Sequence, residues 1–285
     1  MKYLFLFVVL GGFWLGYLLV SAARRLARRR LALRRPFPDE WRAILQKTLP
    51  PYANLAPEMR EELHQDIQLF LGDKAFEGCG GLEITDEIRV TIAAQACMLL
   101  LNRQDTCYPK LRTVLVYPTT YFAGGNGLFG GKNANRSARL GESWGTGAVV
   151  LSWNNVKRGA YNFSDGHNVT MHEFAHQLDQ EDGAADGAPI LEGRSAYSTW
   201  ARVFSREFER LQAKARKRRR SVLDAYGATN AAEFFAVATE CFFEKPRQLQ
   251  RKHPELYEEL RDYYKVHPVE WATLNGPKNT SGAIQ

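Results

Sequence analysis

His172 and His176 stand four residues apart, with Glu173 beside the first, in the run Asn168-Val169-Thr170-Met171-His172-Glu173-Phe174-Ala175-His176-Gln177-Leu178-Asp179. On a helix, residues at that spacing share one face, one turn above the other. Two imidazoles so placed can meet one metal ion, while Glu173 projects at a different angle and stays clear of it. Zinc hydrolysis needs this set: an open coordination position, a water of lowered pKa, and a carboxylate to take its proton. The pattern fixes three positions, and its plain alternative is a helix whose histidines pack or face solvent. The surroundings favour the metal: Val169, Phe174 and Leu178 give the helix an apolar side, and no Pro or Gly interrupts residues 168–180.

Two histidines require a third protein ligand. The best candidate lies in Asp224-Ala225-Tyr226-Gly227-Ala228-Thr229-Asn230-Ala231-Ala232-Glu233-Phe234-Phe235-Ala236. Asn230 suits a helix N-cap, and Glu233 follows at capping-box spacing. Spacing leaves two readings open: Glu233 caps its own helix, or it completes a His-His-Glu zinc site. Tyr226, by itself, reads as a buried aromatic ahead of a helix. Asp179 and Glu240 are candidates for orienting the imidazoles from outside the ligand shell. His64, His167, His253 and His267 lack partners in sequence and read as surface or structural.

The elements that must position these residues follow from local pattern. A helix begins at Ala56-Pro57 with Leu63, Ile67, Phe70 and Leu71 on one face. Thr85-Asp86-Glu87 opens a second helix, running to Leu101 and apolar enough to be central. Residues 114–117 read as a buried strand, and 140–144 and 148–153 as two more, just ahead of the motif helix. Five glycines within residues 123–135 mark a long loop. Ser195 opens a long helix striped by Trp200, Val203, Phe204, Phe208 and Leu211, and closing on the basic run of residues 214–220.

The net charge of +7 is unevenly spread: Lys2 and seven arginines within residues 1–35, with no acid, carry +8, and removing that leaves −1 for the remainder. A nearly neutral body gives no electrostatic footprint for nucleic acid, and no direct nucleic-acid binding is expected. Residues 3–23 are uncharged and long enough to span a bilayer as a helix. Residues 24–38 then form a basic linker, and positive residues stay on the cytoplasmic side. The expectation is a single-pass inner-membrane anchor with the body facing the cytoplasm; a cleaved signal peptide followed by export is the alternative. Cys79, Cys97, Cys107 and Cys241 form no C-x-x-C pair and read as unpaired thiols.

His172 to Asp179 and Tyr226 to Val237 together resemble the Mlc titration factor family of zinc-dependent peptidases, which are gluzincin-like. The spacing of Tyr226, Glu233 and Phe235 is also similar to that in the catalytic domain of anthrax lethal factor, a relative in fold. The resemblance runs from about Phe37 to Trp271 and takes in Gly81-Leu82-Glu83, Val116-Tyr117-Pro118, Glu142-Ser143-Trp144 and Leu151-Ser152-Trp153. It departs at residues 1–35, since the family's founding member is soluble. It implies one zinc per chain held by His172, His176 and Glu233, with Glu173 as general base and Tyr226 near the oxyanion.

The fold expected is α+β and zincin-like: mainly helical with a small mixed sheet, over residues 39–275, preceded by a transmembrane helix and followed by a disordered tail, 276–285. The function expected is zinc-dependent hydrolysis of a peptide or protein substrate, of aminopeptidase type as the resemblance suggests. The competing reading is a protein that binds and titrates a transcriptional repressor, its hydrolysis weak or latent. A purely structural zinc site is the third, and Glu173 argues against it, because such a site has no use for that carboxylate.

Overall fold

The computed structural model describes residues 35–103, 107–119 and 147–272. The expected anchor, most of the basic linker, the glycine-rich loop, the strand at 140–144 and the C-terminal tail lie outside them. Among the described residues no helix is long and apolar enough to cross a membrane.

The order is α1 (Asp39–Thr48), α2 (Pro57–Asp73), β1 (Ala75–Gly78), α3 (Asp86–Met98), β2 (Thr113–Tyr117), β3 (Ala148–Ser152), α4 (Trp153–Tyr161), α5 (Val169–Asp179), α6 (Arg194–Arg216), α7 (Ala231–Glu244), α8 (Pro246–Lys252), α9 (Pro254–Tyr264) and α10 (Pro268–Ala272). The described strands form one sheet in the order β1-β2-β3. Both pairings are parallel, with Ala75 opposite Thr113 and Thr113 opposite Ala148. The sheet is therefore parallel among the described residues and not mixed. The reason is β1, a short strand outside the expected ones, which pairs with β2 in parallel. β1 and β2 enclose α3, and a helical crossover returns the chain in the same direction.

α3 is the central helix, as its composition requires. Thr85 caps it by accepting from the Ile88 N–H at 3.3 Å, and every residue from Val90 to Met98 is buried. It ends at Met98, three residues short of expectation, and Leu99–Leu101 continue into the core as a turn. α1, α2, α4 and α5 all pack against it. β3 ends one residue early because Trp153 opens α4. Gly159 on α4 allows a close approach: a Cβ there would meet Asn168, the N-cap of α5, at 3.0–3.2 Å.

α5 and α7 lie side by side at the centre, and both are buried almost throughout. Phe174 anchors α5 against Tyr108, with ring centroids 4.8 Å apart, and Phe70, at 5.6 Å. Phe235 and Phe242 anchor α7 against Tyr264 of α9. His64 and His253 are structural, as expected: His64 bonds the Tyr52 hydroxyl at 2.8 Å, and His253 bonds Glu207 at 2.6 Å. All four cysteines are free thiols.

Phe174 is fully buried, so Phe174→Ala should lower the unfolding free energy by about 3–5 kcal/mol in urea titration. A loss below about 1 kcal/mol would contradict the packing described.

Candidate metal centre

Asn168 starts α5, its side-chain oxygen accepting from the Met171 N–H at 3.0 Å. Asn230 starts α7 in the same way, accepting from the Glu233 N–H at 2.9 Å. The cap is therefore made by Asn230, and the Glu233 carboxylate is turned elsewhere. One oxygen lies 3.0 Å from His172 Nε2 and 3.6 Å from His176 Nε2; the other accepts from the Tyr226 hydroxyl at 3.2 Å. The two imidazoles approach to 3.2 Å between their Nε2 atoms.

Three ligand atoms thus converge, all within 4.8 Å of one another. Donors held about 2.0–2.2 Å from a tetrahedral ion stand about 3.3 Å apart, and the three separations fall around that value. The donor chemistry agrees. Glu240 accepts from His172 Nδ1 at 2.7 Å, which fixes the ring and turns the other nitrogen toward Glu233 and His176. A carboxylate oxygen and two ring nitrogens facing one another repel unless positive charge lies between them.

In the protein alone a proton serves that purpose. Burial opposes charging of His172, but Glu240, Glu233 and Glu173 outweigh it and raise its pKa to about 10. Burial pushes Glu233 the other way, yet its hydrogen bonds to His172 and His176 hold its carboxyl well below the usual range. The cluster demands a cation, and a divalent ion would meet the demand at all three donors.

The face of α7 continues the pattern. Glu233, Glu240 and Glu244 recur at i, i+7 and i+11, which is one helix face. Glu240 also accepts from the backbone N–H of Asn168. Glu244 accepts from Asn168 Nδ2 at 3.1 Å, and from the N–H groups of Gly166 at 2.7 Å and His167 at 3.1 Å. Burial raises the pKa of Glu244 to about 8 against these donors. Glu240 was a candidate in sequence through its i+7 spacing, but Glu244 was missed; the continued stripe of acids on an otherwise apolar helix is the signal that points to it.

Glu173 is buried on α5, and its charge is felt at His172. Tyr226 sits in a 3-10 turn, Ala225–Ala228, with its ring centroid 5.9 Å from that of His172. Asp224 shapes this turn by accepting from the Tyr226 N–H at 2.6 Å, and its other oxygen lies 3.5 Å from His167 Nδ1. Asp179 does not orient a histidine: both its oxygens accept from the Gly187 N–H, at 2.9 and 3.0 Å. A cleft of about 750 Å³ lies elsewhere, lined by Arg103, Glu181, Ile190, Trp200, Asp262 and Tyr263 among others, and no residue of the cluster borders it. Converging donors, and not cleft size, mark the site.

Residues 23–265 match the family of glucose-regulated metallo-peptidases M90. An uncharacterized protein of Synechocystis is 43% identical over 247 residues, covering 85% of this chain and 89% of that protein. Mlc titration factor A of Klebsiella pneumoniae is 29% identical over 233 residues, covering 80% and 87%. Mlc titration factor A of Escherichia fergusonii is 28% identical over 226 residues, covering 78% and 84%.

Because, against burial, the carboxylates around His172 raise its pKa to about 10 and favour its protonated form, a divalent cation is expected to displace a proton on reaching Nε2. Cation uptake at pH 7.5 should release about one proton per ion, and apparent affinity should rise about tenfold per pH unit between about pH 6.5 and 8.5. Calorimetry in buffers of different ionisation enthalpy counts the protons; a count of zero would contradict the arrangement.

Proposed function

As the chain belongs to the glucose-regulated metallo-peptidase M90 family, we propose that it is a zinc-dependent peptidase whose ligands are His172, His176 and Glu233, with one zinc per chain. The observation that carries this reading is the convergence of those three donors, with Glu240 fixing the far nitrogen of His172. Zinc, when bound, supplies a Lewis acid and lowers the pKa of the water it holds towards about 7.

The chain's own residues supply the rest. Glu173 is the general base: it is buried on the helix that carries both histidines, where it is not diluted by solvent. It takes a proton from the attacking water and returns it to the leaving amine. Tyr226 supplies a neutral O–H donor beside the ligands. It donates to Glu233 at 3.2 Å, and in this proposal the same O–H donates to the oxyanion as charge develops. β3 pairs only with β2 among the described residues, so its outer side can accept an extended peptide as an added strand. Cleavage from the amino end, as an aminopeptidase, is the mode the resemblance favours. We take the uncharged stretch of residues 3–23 as a membrane anchor, and the arginines behind it support an orientation with this domain on the cytoplasmic side of the inner membrane.

A second reading has its own support. Relatives at 28–29% identity carry the name Mlc titration factor A. In this reading the protein binds a transcriptional regulator, and hydrolysis is subordinate.

Glu173→Gln separates the two. It should retain one zinc per chain and lose about 10²–10⁴ in kcat on peptide substrates, while binding of a regulator survives. Glu240→Ala should weaken zinc about 10–100-fold by loosening His172. Wild-type hydrolysis by Glu173→Gln would remove Glu173 as the base. Zinc-loaded wild type that cleaves no peptide in a broad library would favour the regulator reading.

A further inference from the structure

Gly187 is held between three helices. Its N–H donates to Asp179, the last residue of α5. Its carbonyl accepts from Trp200 Nε1 on α6 at 3.0 Å, in a buried bond. Its α-carbon faces the first residue of α7: a Cβ added there would lie 2.4 Å from the Ala231 carbonyl oxygen and 2.7 Å from the carbonyl carbon. Its φ of +79° is also one that side-chain-bearing residues rarely adopt.

The placement matters because of what lies next to each contact. Asp179 follows His176 by three residues, less than one turn, and Ala231 precedes Glu233 by two. α5 and α7 run antiparallel: the start of α5 is bonded to Glu240 and Glu244 near the end of α7, while Gly187 bridges the end of α5 to the start of α7. The acidic stripe thus fastens one end of the helix pair, and Gly187 fastens the other. The ligand atoms lie between the two.

We propose that Gly187 is a positioning residue which sets the separation of His176 and Glu233, and that Asp179 and Trp200 serve the site by holding Gly187 in place. The inference rests on the reading of His172, His176 and Glu233 as a zinc site. A side chain at position 187 cannot sit beside the Ala231 carbonyl as it now stands, so the spacing between the two backbones must widen, and in this proposal the carboxylate two residues after Ala231 moves with it. A shift of this kind weakens the metal and alters its geometry while the rest of the core stays packed.

The test uses the full chain, as wild type, Gly187→Ala, Trp200→Phe and Gly193→Ala. Gly193 is the control for backbone strain, since its φ is +85° but nothing lies within 4 Å of an added Cβ. Zinc affinity is read by competition with a chromophoric chelator. Ligand geometry is read from the visible absorption of the cobalt-substituted protein. Gly187→Ala should bind zinc at least about tenfold more weakly and show shifted cobalt bands, while Gly193→Ala matches wild type in both. Should Gly187→Ala fail to fold, Trp200→Phe decides: it keeps an aromatic ring over Phe204, 3.8 Å away, and removes the donor to Gly187 together with some of the indole volume packed on Phe235 and Tyr263. It should weaken zinc about three- to tenfold. Wild-type affinity and cobalt bands in Gly187→Ala, or in Trp200→Phe where that variant decides, would overturn the inference, as would equal losses in Gly187→Ala and Gly193→Ala. A wild-type chain that binds no zinc would instead defeat the reading of the cluster, and the inference with it, before any variant is compared.

Discussion

The pairing of His172 with the buried carboxylates of α7 is the constraint on which the rest depends. Glu233, Glu240 and Glu244 are at most 6% exposed, in a helix that is otherwise almost wholly apolar. Buried charge on that scale is tolerated only where each carboxylate is met by donors or by a cation. α5 and the three residues ahead of it supply most of them, through the ring of His172, the N–H and side chain of Asn168, and the N–H groups of Gly166 and His167, and Tyr226 adds its hydroxyl to Glu233. The acids therefore dictate how α5 sits, and α5 in turn dictates where the two imidazoles point. The aromatic packing of Phe174 and Phe235 makes the helices stable, but it is the carboxylates that fix their register.

The same arrangement leaves the ligand atoms short of positive charge. The raised pKa of His172 and the lowered one of Glu233 are two expressions of this demand. A proton satisfies it in part and a divalent cation in full. The peptidase reading makes use of this centre, with Glu173 transferring protons there, whereas the regulator reading rests on the name of the relatives. The family to which the chain belongs carries a metallo-peptidase description, and relatives from Klebsiella and Escherichia carry the name Mlc titration factor A.

Much of this was legible in the sequence, because the signals are local. The spacing of His172 and His176 lies within one helical turn, and Thr85, Asn168 and Asn230 cap helices through bonds to residues three positions on. Spacing could not decide whether Glu233 caps or coordinates, since both uses need it near the start of the same helix. Only the approach of α5 settles that its oxygens face the imidazoles. What was missed depends on chain paths. β1 has four residues, too few for its alternation to distinguish it from a loop in sequence; its identity comes from β2 beside it. α4 begins on the residue that ends a hydrophobic strand run, with no breaker between. Asp179 was a candidate for orienting a histidine, but the partner it takes is the backbone of Gly187, eight residues on in a polar loop. No residue type announces a backbone donor.

The most direct measurement is X-ray absorption at the zinc edge of the zinc-loaded chain, because it reports the atoms around the metal without relying on turnover. The account predicts one zinc per chain with a nitrogen and oxygen shell at about 2.0–2.2 Å, the outer scattering of two imidazoles, and loss of an oxygen donor in Glu233→Ala. Scattering from sulfur at about 2.3 Å, from three or more imidazoles, or an unchanged shell in Glu233→Ala would contradict it.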